Sequence, residues 1–161
     1  MERARPTSIL PPPDGRQSEA ARAIARGVRR MFGAAGLATL DEVALPNGRR
    51  ADLMTLSPDG SIQIVEIKSC VADFRADRKW PDYRDYCDAL YFAVDLSTPL
   101  DILPADAGLI VADAYGASLA RAAPEHRLQA ATRRSMLLRF ARLAAGRLYG
   151  LHDPDWGGFM D

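Results

Sequence analysis

Residues 50–68, RADLMTLSPDGSIQIVEIK, constrain the fold more than any other stretch of the chain. Ala51 to Leu56 reads as an extended, largely apolar strand. Ser57-Pro58-Asp59-Gly60-Ser61 is composed of turn-forming residue types. Ile62 to Lys68 is rich in β-branched residues and bounded, so it reads as a second strand. With Ser57–Ser61 as the loop of a hairpin, Leu56 faces Ile62, Met54 faces Ile64 and Asp52 faces Glu66. Directly opposed residues have Cβ atoms about 4.5–5.5 Å apart, so the two carboxylates repel each other unless a cation lies between them. Mg²⁺ suits that role, because it takes carboxylate oxygens at about 2.0–2.1 Å. Lys68, two residues beyond Glu66, projects from the same face. The register decides the matter: a four-residue loop would put Asp52 and Glu66 on opposite faces. Taken alone, these residues suit a metal site and a structural ion pair equally.

The cation inventory adds to this. Of 21 basic residues only Lys68 and Lys79 are lysine, which leaves nineteen arginines. In a chain this biased toward arginine, lysine nonetheless stands at position 68, where inside a metal site a compact ammonium could reach a water or phosphate oxygen that a planar guanidinium could not; with only two lysines, chance is the other reading. The net charge is zero, so the whole molecule offers no basic field to steer nucleic acid. Cys70 and Cys87 lack CxxC spacing, and His126 and His152 lack the spacing of a zinc pair, so reduced thiols and no zinc chemistry are expected. No apolar run approaches the roughly 20 residues of a membrane span, and no secretory signal opens the chain. A cytoplasmic location is the expectation, with no membrane partner.

At 161 residues a single domain is expected. Residues 1–13, with four prolines, read as a mobile leader; 14–150 form the domain; 151–161 are a tail. Asp14 and Gln17 fit a helix-capping pattern. Ala21, Ile24, Ala25, Val28 and Phe32 then form one apolar helical stripe. Thr39–Leu45 is a first strand, followed by a turn into Arg49-Arg50, which beside Asp52 are either candidate phosphate contacts or simply a solvated pair at the strand entry. Ser69 to Trp80 reads as helical turns stopped by Pro81, with Phe74 and Trp80 inward and Asp73, Arg75, Asp77 and Arg78 in solvent. Asp82 to Asp88 suggests a short helix. Ala89–Val94 and Ala107–Ala112 are buried strands, and Gly116–Ala120 pairs with the latter. A long helix runs from Glu125 to about Tyr149 and ends at Gly150. Its arginines 127, 133, 134, 139, 142 and 147 are either a solvated face or a DNA groove lining. There is no glycine-rich phosphate loop, and no nucleotide cofactor is expected.

Asp52, a short hairpin and Glu66-Ile67-Lys68 resemble the PD-(D/E)XK nuclease superfamily, with Ala51 in place of the proline before the Asp. The stretches Val65–Ser69, Asp73, Asp77, Lys79–Tyr83 and Cys87–Val94 resemble more specifically the MmcB-like DNA repair proteins, over roughly Gln17 to Gly150. The resemblance implies an α/β fold: a restriction-endonuclease-like core of αβββαβ order, with a mixed central sheet flanked by helices. It implies a metal-dependent deoxyribonuclease that hydrolyses DNA phosphodiester bonds at damaged or structured DNA, including crosslinks of the mitomycin C type. Asp52, Glu66 and Lys68 would be catalytic. Asp52, Glu66 and the Ile67 carbonyl would hold Mg²⁺, with Mn²⁺ as a substitute. Lys79 and Tyr83 have the spacing of the Gln-x-x-x-Tyr of RecB-type nucleases, with Lys for Gln, and would touch DNA with Arg49 and Arg50. Some relatives place a further metal-binding acid on the first helix; Glu19 is the candidate, but it lies opposite the apolar stripe and reads as a solvated first-turn acid. DNA is the implied partner, with a homodimer or repair-complex partner besides. A non-catalytic DNA-binding or scaffold module on the same fold is the alternative, and a small-molecule α/β enzyme lacks any supporting fingerprint.

Overall fold

The computed structural model describes residues 18–159. Helix α1 (Glu19–Ala34) leads into strands β1 (Ala38–Ala44), β2 (Arg50–Leu56) and β3 (Ile62–Ile67). Helix α2 (Val71–Ala76) and a 3₁₀ segment (Trp80–Tyr86) follow, then β4 (Ala89–Val94), β5 (Gly108–Ala112), β6 (Ala117–Arg121) and helix α3 (Ala130–His152). The six strands form one sheet in sequence order. β1, β2 and β3 are antiparallel neighbours, β3, β4 and β5 are parallel, and β6 returns antiparallel to β5. The chain is thus an α/β fold with a mixed six-stranded sheet and helices on both faces.

Alternation along the strands sorts the core into two layers. Leu53, Val65, Ile67, Ala93 and Ile110 pack with the stripe Ala21, Ile24, Ala25, Val28 and Phe32 of α1. Met54, Ile62, Ile64 and Leu90 point the other way, against Tyr83, Cys87 and the α3 residues Met136 and Phe140. Phe92 extends this second layer toward Phe74 and Trp80, whose rings meet it edge-on at centroid distances of 5.7 and 5.6 Å. Both inward expectations for those aromatics hold. Gly27 lets α1 lie against the β5–β6 turn, since a Cβ there would come within 2.1 Å of the Asp113 carbonyl oxygen.

The hairpin register is the expected one, with Leu56 opposite Ile62 and Met54 opposite Ile64. The loop closes through Ser57 N–H donating to the Ser61 carbonyl at 2.9 Å, and Gly60 takes φ 86°, a conformation that glycine adopts without steric cost.

Several local expectations are corrected. The Asp14–Gln17 cap lies outside the described residues; α1 is capped by Ser18, whose hydroxyl accepts the Ala21 N–H at 3.1 Å. Pro81 does not stop a helix but sits in the first turn of the 3₁₀ segment, where its missing N–H costs nothing. The break falls earlier, at Asp77. α3 begins at Ala130 rather than Glu125 and runs through Gly150 to His152. Beyond it, Trp156 and Phe159 stack with Tyr149 at centroid distances of 5.3 and 6.2 Å, which ties the tail to the helix.

Asp88 joins four parts of the fold. Its carboxylate takes both Arg133 Nη atoms at 2.6 and 2.7 Å and the N–H groups of Ile62 and Leu128 at 2.8 and 2.9 Å. Arg133 also donates to the Gly60 carbonyl at 2.8 Å. Burial opposes ionisation of Asp88, but the Arg133 bonds and the two backbone donors outweigh it and hold the carboxyl at about 2. Asp88→Ala should cost about 2–4 kcal/mol, because it strands buried donors. A depressed folded pKa stabilises above the unfolded value of 3.8 and is lost as pH falls through about 2. Urea unfolding of wild type and Asp88→Ala should therefore differ most above pH 4 and converge toward pH 2.

Candidate functional site

The ladder between β2 and β3 pairs Leu53 with Val65, and one step beyond it Asp52 meets Glu66. Side chains take over from the backbone there. The Asp52 N–H donates to Glu66 Oε1 at 3.2 Å, and the Ile67 N–H donates to Asp52 Oδ2 at 2.8 Å. This reciprocal clasp fixes both carboxylates, and each keeps further lone pairs. Glu66 is 4% exposed and Lys68 8%. Both follow Ile62 and Ile64 at two-residue steps, so they continue the face of Tyr83.

Burial raises the Asp52 carboxyl, against the Ile67 hydrogen bond and the charge of Lys68. Burial also raises Glu66 well above the usual carboxylate range, and the charge of Asp52 adds to it. Two desolvated, mutually repelling carboxylates of this kind favour a cation or a proton. Tyr83 is likewise pushed up, by burial and then by the negative charges of Glu66 and Asp52; its hydroxyl donates to the Arg50 carbonyl at 3.3 Å.

Lys68 makes its ion pair with Asp77, Nζ to Oδ2 at 2.5 Å, with side chains only 10% and 13% exposed. The expectation that Asp77 lies in solvent is therefore wrong. It sits just past α2, where Phe74 packs on Phe92 and turns the chain back toward the sheet. The Lys79 N–H donates to its other oxygen at 2.8 Å. Burial works against the Asp77 charge, but the bonds from Lys68 and the Lys79 N–H keep its carboxyl below the usual range.

On the α1 side of Asp52 lies a small cavity of about 200 Å³ lined by Arg22, Ala25, Arg29, Asp41, Glu42, Asp52, Leu53 and Ile67. Glu42 carries φ 50°, an unusual value for a non-glycine residue. It ion-pairs with Arg50, and its carbonyl accepts from Arg147 at 3.2 Å. Glu19 is exposed at the start of α1 and does not line this cavity. Of the expected DNA contacts, Arg49 pairs with Asp82 at 3.0 Å, Arg50 pairs with Glu42, Tyr83 is buried beside Glu66, and Lys79 projects into solvent.

Most of the α3 arginines have structural partners. Arg133 holds Asp88, Arg139 and Arg147 donate to the Ala44 and Glu42 carbonyls, and Arg142 stacks on Phe159 at 4.8 Å. Among the described residues no three His, Cys, Asp or Glu side chains are close enough to form an all-protein metal cage. The oxygen donors that could meet a hard divalent ion here are the Asp52 and Glu66 carboxylates and the Ile67 carbonyl, and Mg²⁺ commonly completes such partial sets with water.

A protein-family profile described as "MmcB-like: DNA repair protein MmcB-like" matches residues 9–155. The chain belongs to the MmcB-like DNA repair protein family. A solved structure, the SPO1766 protein of unknown function from Silicibacter pomeroyi, is similar to it with a TM-score of 0.84 and 41% identity. That match covers 90% of this chain and 99% of the other. No curated protein matches. No helix among the described residues of this MmcB-like protein is long and apolar enough to cross a membrane.

A raised folded pKa destabilises at pH values above the unfolded one. In this MmcB-like protein the Glu66 penalty is absent near pH 4 and grows as pH rises above 4.5. Glu66→Gln, which removes the charge but keeps the acceptor, should melt higher than wild type in chelator, and the gap should widen as pH rises above 4.5 until Glu66 is ionised in the folded state as well.

Proposed function

We propose that this DNA repair family member is a Mg²⁺-dependent nuclease of the PD-(D/E)XK type, which hydrolyses phosphodiester bonds in damaged or structured DNA. The carrying observation is the clasp of Asp52 and Glu66 at the end of the β2–β3 hairpin, with Lys68 on the same face. The αβββαβ order and the parallel pairing of β3 with β4 fit a restriction-endonuclease-like core. Asp52, Glu66 and the Ile67 carbonyl fit the demands of a hard divalent ion. When bound, Mg²⁺ supplies a Lewis acid for the phosphate and lowers the pKa of a water.

The chain's own groups do the rest. Lys68 orients the attacking water and stabilises negative charge developing on the phosphate. Tyr83, buried beside Glu66 and donating to the Arg50 carbonyl, supports the site from behind. Lys79 at the rim and Arg49, once released from Asp82, provide phosphate contacts.

One observation favours a second reading, a DNA-binding or scaffold module without turnover. Several basic groups are already engaged by carboxylates of the chain itself: Arg50 pairs with Glu42, Arg133 with Asp88 and Lys68 with Asp77. With zero net charge, such a chain would depend on a second copy or a repair partner for DNA affinity.

A labelled panel of duplex, flapped, mismatched and single-stranded DNA separates the two readings. The nuclease reading predicts cleavage with Mg²⁺ or Mn²⁺, none in chelator, and a loss of about 10²–10³-fold for Lys68→Ala or Asp52→Asn. Retained DNA binding without cleavage of any substrate would establish the module instead.

A further inference from the structure

The site holds one buried ammonium beside three carboxylates, and which carboxylate it takes matters. Lys68 forms its ion pair with Asp77. The Asp52 and Glu66 carboxylates are bound by the backbone N–H groups of Ile67 and Asp52. Nothing in the length of the lysine requires this choice. Glu66 is two residues away on the same face, and a lysine stem has four flexible carbons.

Asp77 is fixed from its own side. Its second oxygen takes the Lys79 N–H at 2.8 Å, and its backbone N–H closes α2 onto the Phe74 carbonyl at 3.1 Å. Phe74 is in turn anchored on the buried Phe92. The carboxylate therefore has holders of its own besides Lys68. Without that partner, the nearest compensation for Lys68 would be the Asp52–Glu66 pair, where the ammonium would occupy the cation's place with a single positive charge. With all four groups ionised the cluster carries two net negative charges, which a divalent ion balances.

We propose that Asp77 is a positioning residue that holds the Lys68 ammonium off the Asp52–Glu66 pair and so keeps those carboxylates open to a divalent cation. This rests on the cation reading of the site. It assigns α2 and its C-terminal turn a purpose: the short crossover from β3 to β4 brings a carboxylate back beside the strand it has just left.

The test is Mn²⁺ affinity, followed by the paramagnetic signal of free ion, for wild type, Asp77→Asn, Lys68→Ala and the double variant. Asparagine keeps an acceptor for the Lys79 N–H, and an unchanged circular dichroism spectrum and melting curve verify the fold. Asp77→Asn should weaken Mn²⁺ binding about tenfold when Lys68 is present, and by less than about twofold in the Lys68→Ala background. An equal loss in both backgrounds, or no loss in either, overturns the proposal. A crystal structure of Asp77→Asn gives a second reading that needs no metal. Lys68 Nζ within hydrogen-bond distance of Asp52 or Glu66 supports the proposal, and Nζ remaining at residue 77 overturns it. If wild type takes up no Mn²⁺ at all, the cation reading fails, and the position of Nζ alone decides the role of Asp77.

Discussion

Two carboxylates held side by side at the end of a hairpin are the constraint on which the rest of this structure turns. A sheet can place Asp52 opposite Glu66 only by accepting repulsion in a poorly hydrated place, and both carboxyl groups are raised by that burial. The fold does not relieve the conflict by moving them apart. It pins them instead, each taking a backbone N–H from the other's strand. Stability is given up locally at these two desolvated acids, and strongly shifted carboxyls of this kind cluster at functional sites.

The surrounding elements make sense as supports for this arrangement. α1 backs the sheet beneath Leu53, Val65 and Ile67, the neighbours of the two acids. The α3 layer backs the opposite side through Met136 and Phe140. Asp88 and Arg133 fasten the far end of β3, β4 and the hairpin loop to α3, so the register that opposes Asp52 to Glu66 is secured 26 residues away in sequence as well as by the loop itself. A slip of one residue in that register would turn Glu66 to the other face.

The hairpin, the α1 stripe and the buried strands were legible in the sequence because each rests on local periodicity or turn chemistry. Leu56 opposite Ile62 follows from a five-residue loop, and Ile24 and Val28 follow from 3.6-residue spacing. Asp77 was not legible. On a short helix it has the look of a solvated acid, and only the return of the chain across the sheet brings it to Lys68. Asp88 was hidden for the same reason, since its partners Arg133 and Leu128 lie 45 and 40 residues away. The arginines of α3 misled in the other direction: their spacing suits a basic face, but carbonyls of β1 and the Asp88 carboxylate claim several of them. Residues 125–129 have the composition of a helix, yet α3 starts at Ala130, because the His126 and Leu128 N–H groups bond to Asp88 instead of turning into one.

Thermal unfolding in the presence and absence of Mg²⁺ tests the central claim most directly, because a ion bound only by the folded state raises the melting temperature by mass action. The account predicts a rise that grows with millimolar Mg²⁺ for wild type and is lost when Asp52→Asn and Glu66→Gln are combined. A wild-type curve that ignores Mg²⁺ and Mn²⁺, or a double variant that responds as wild type does, would contradict it.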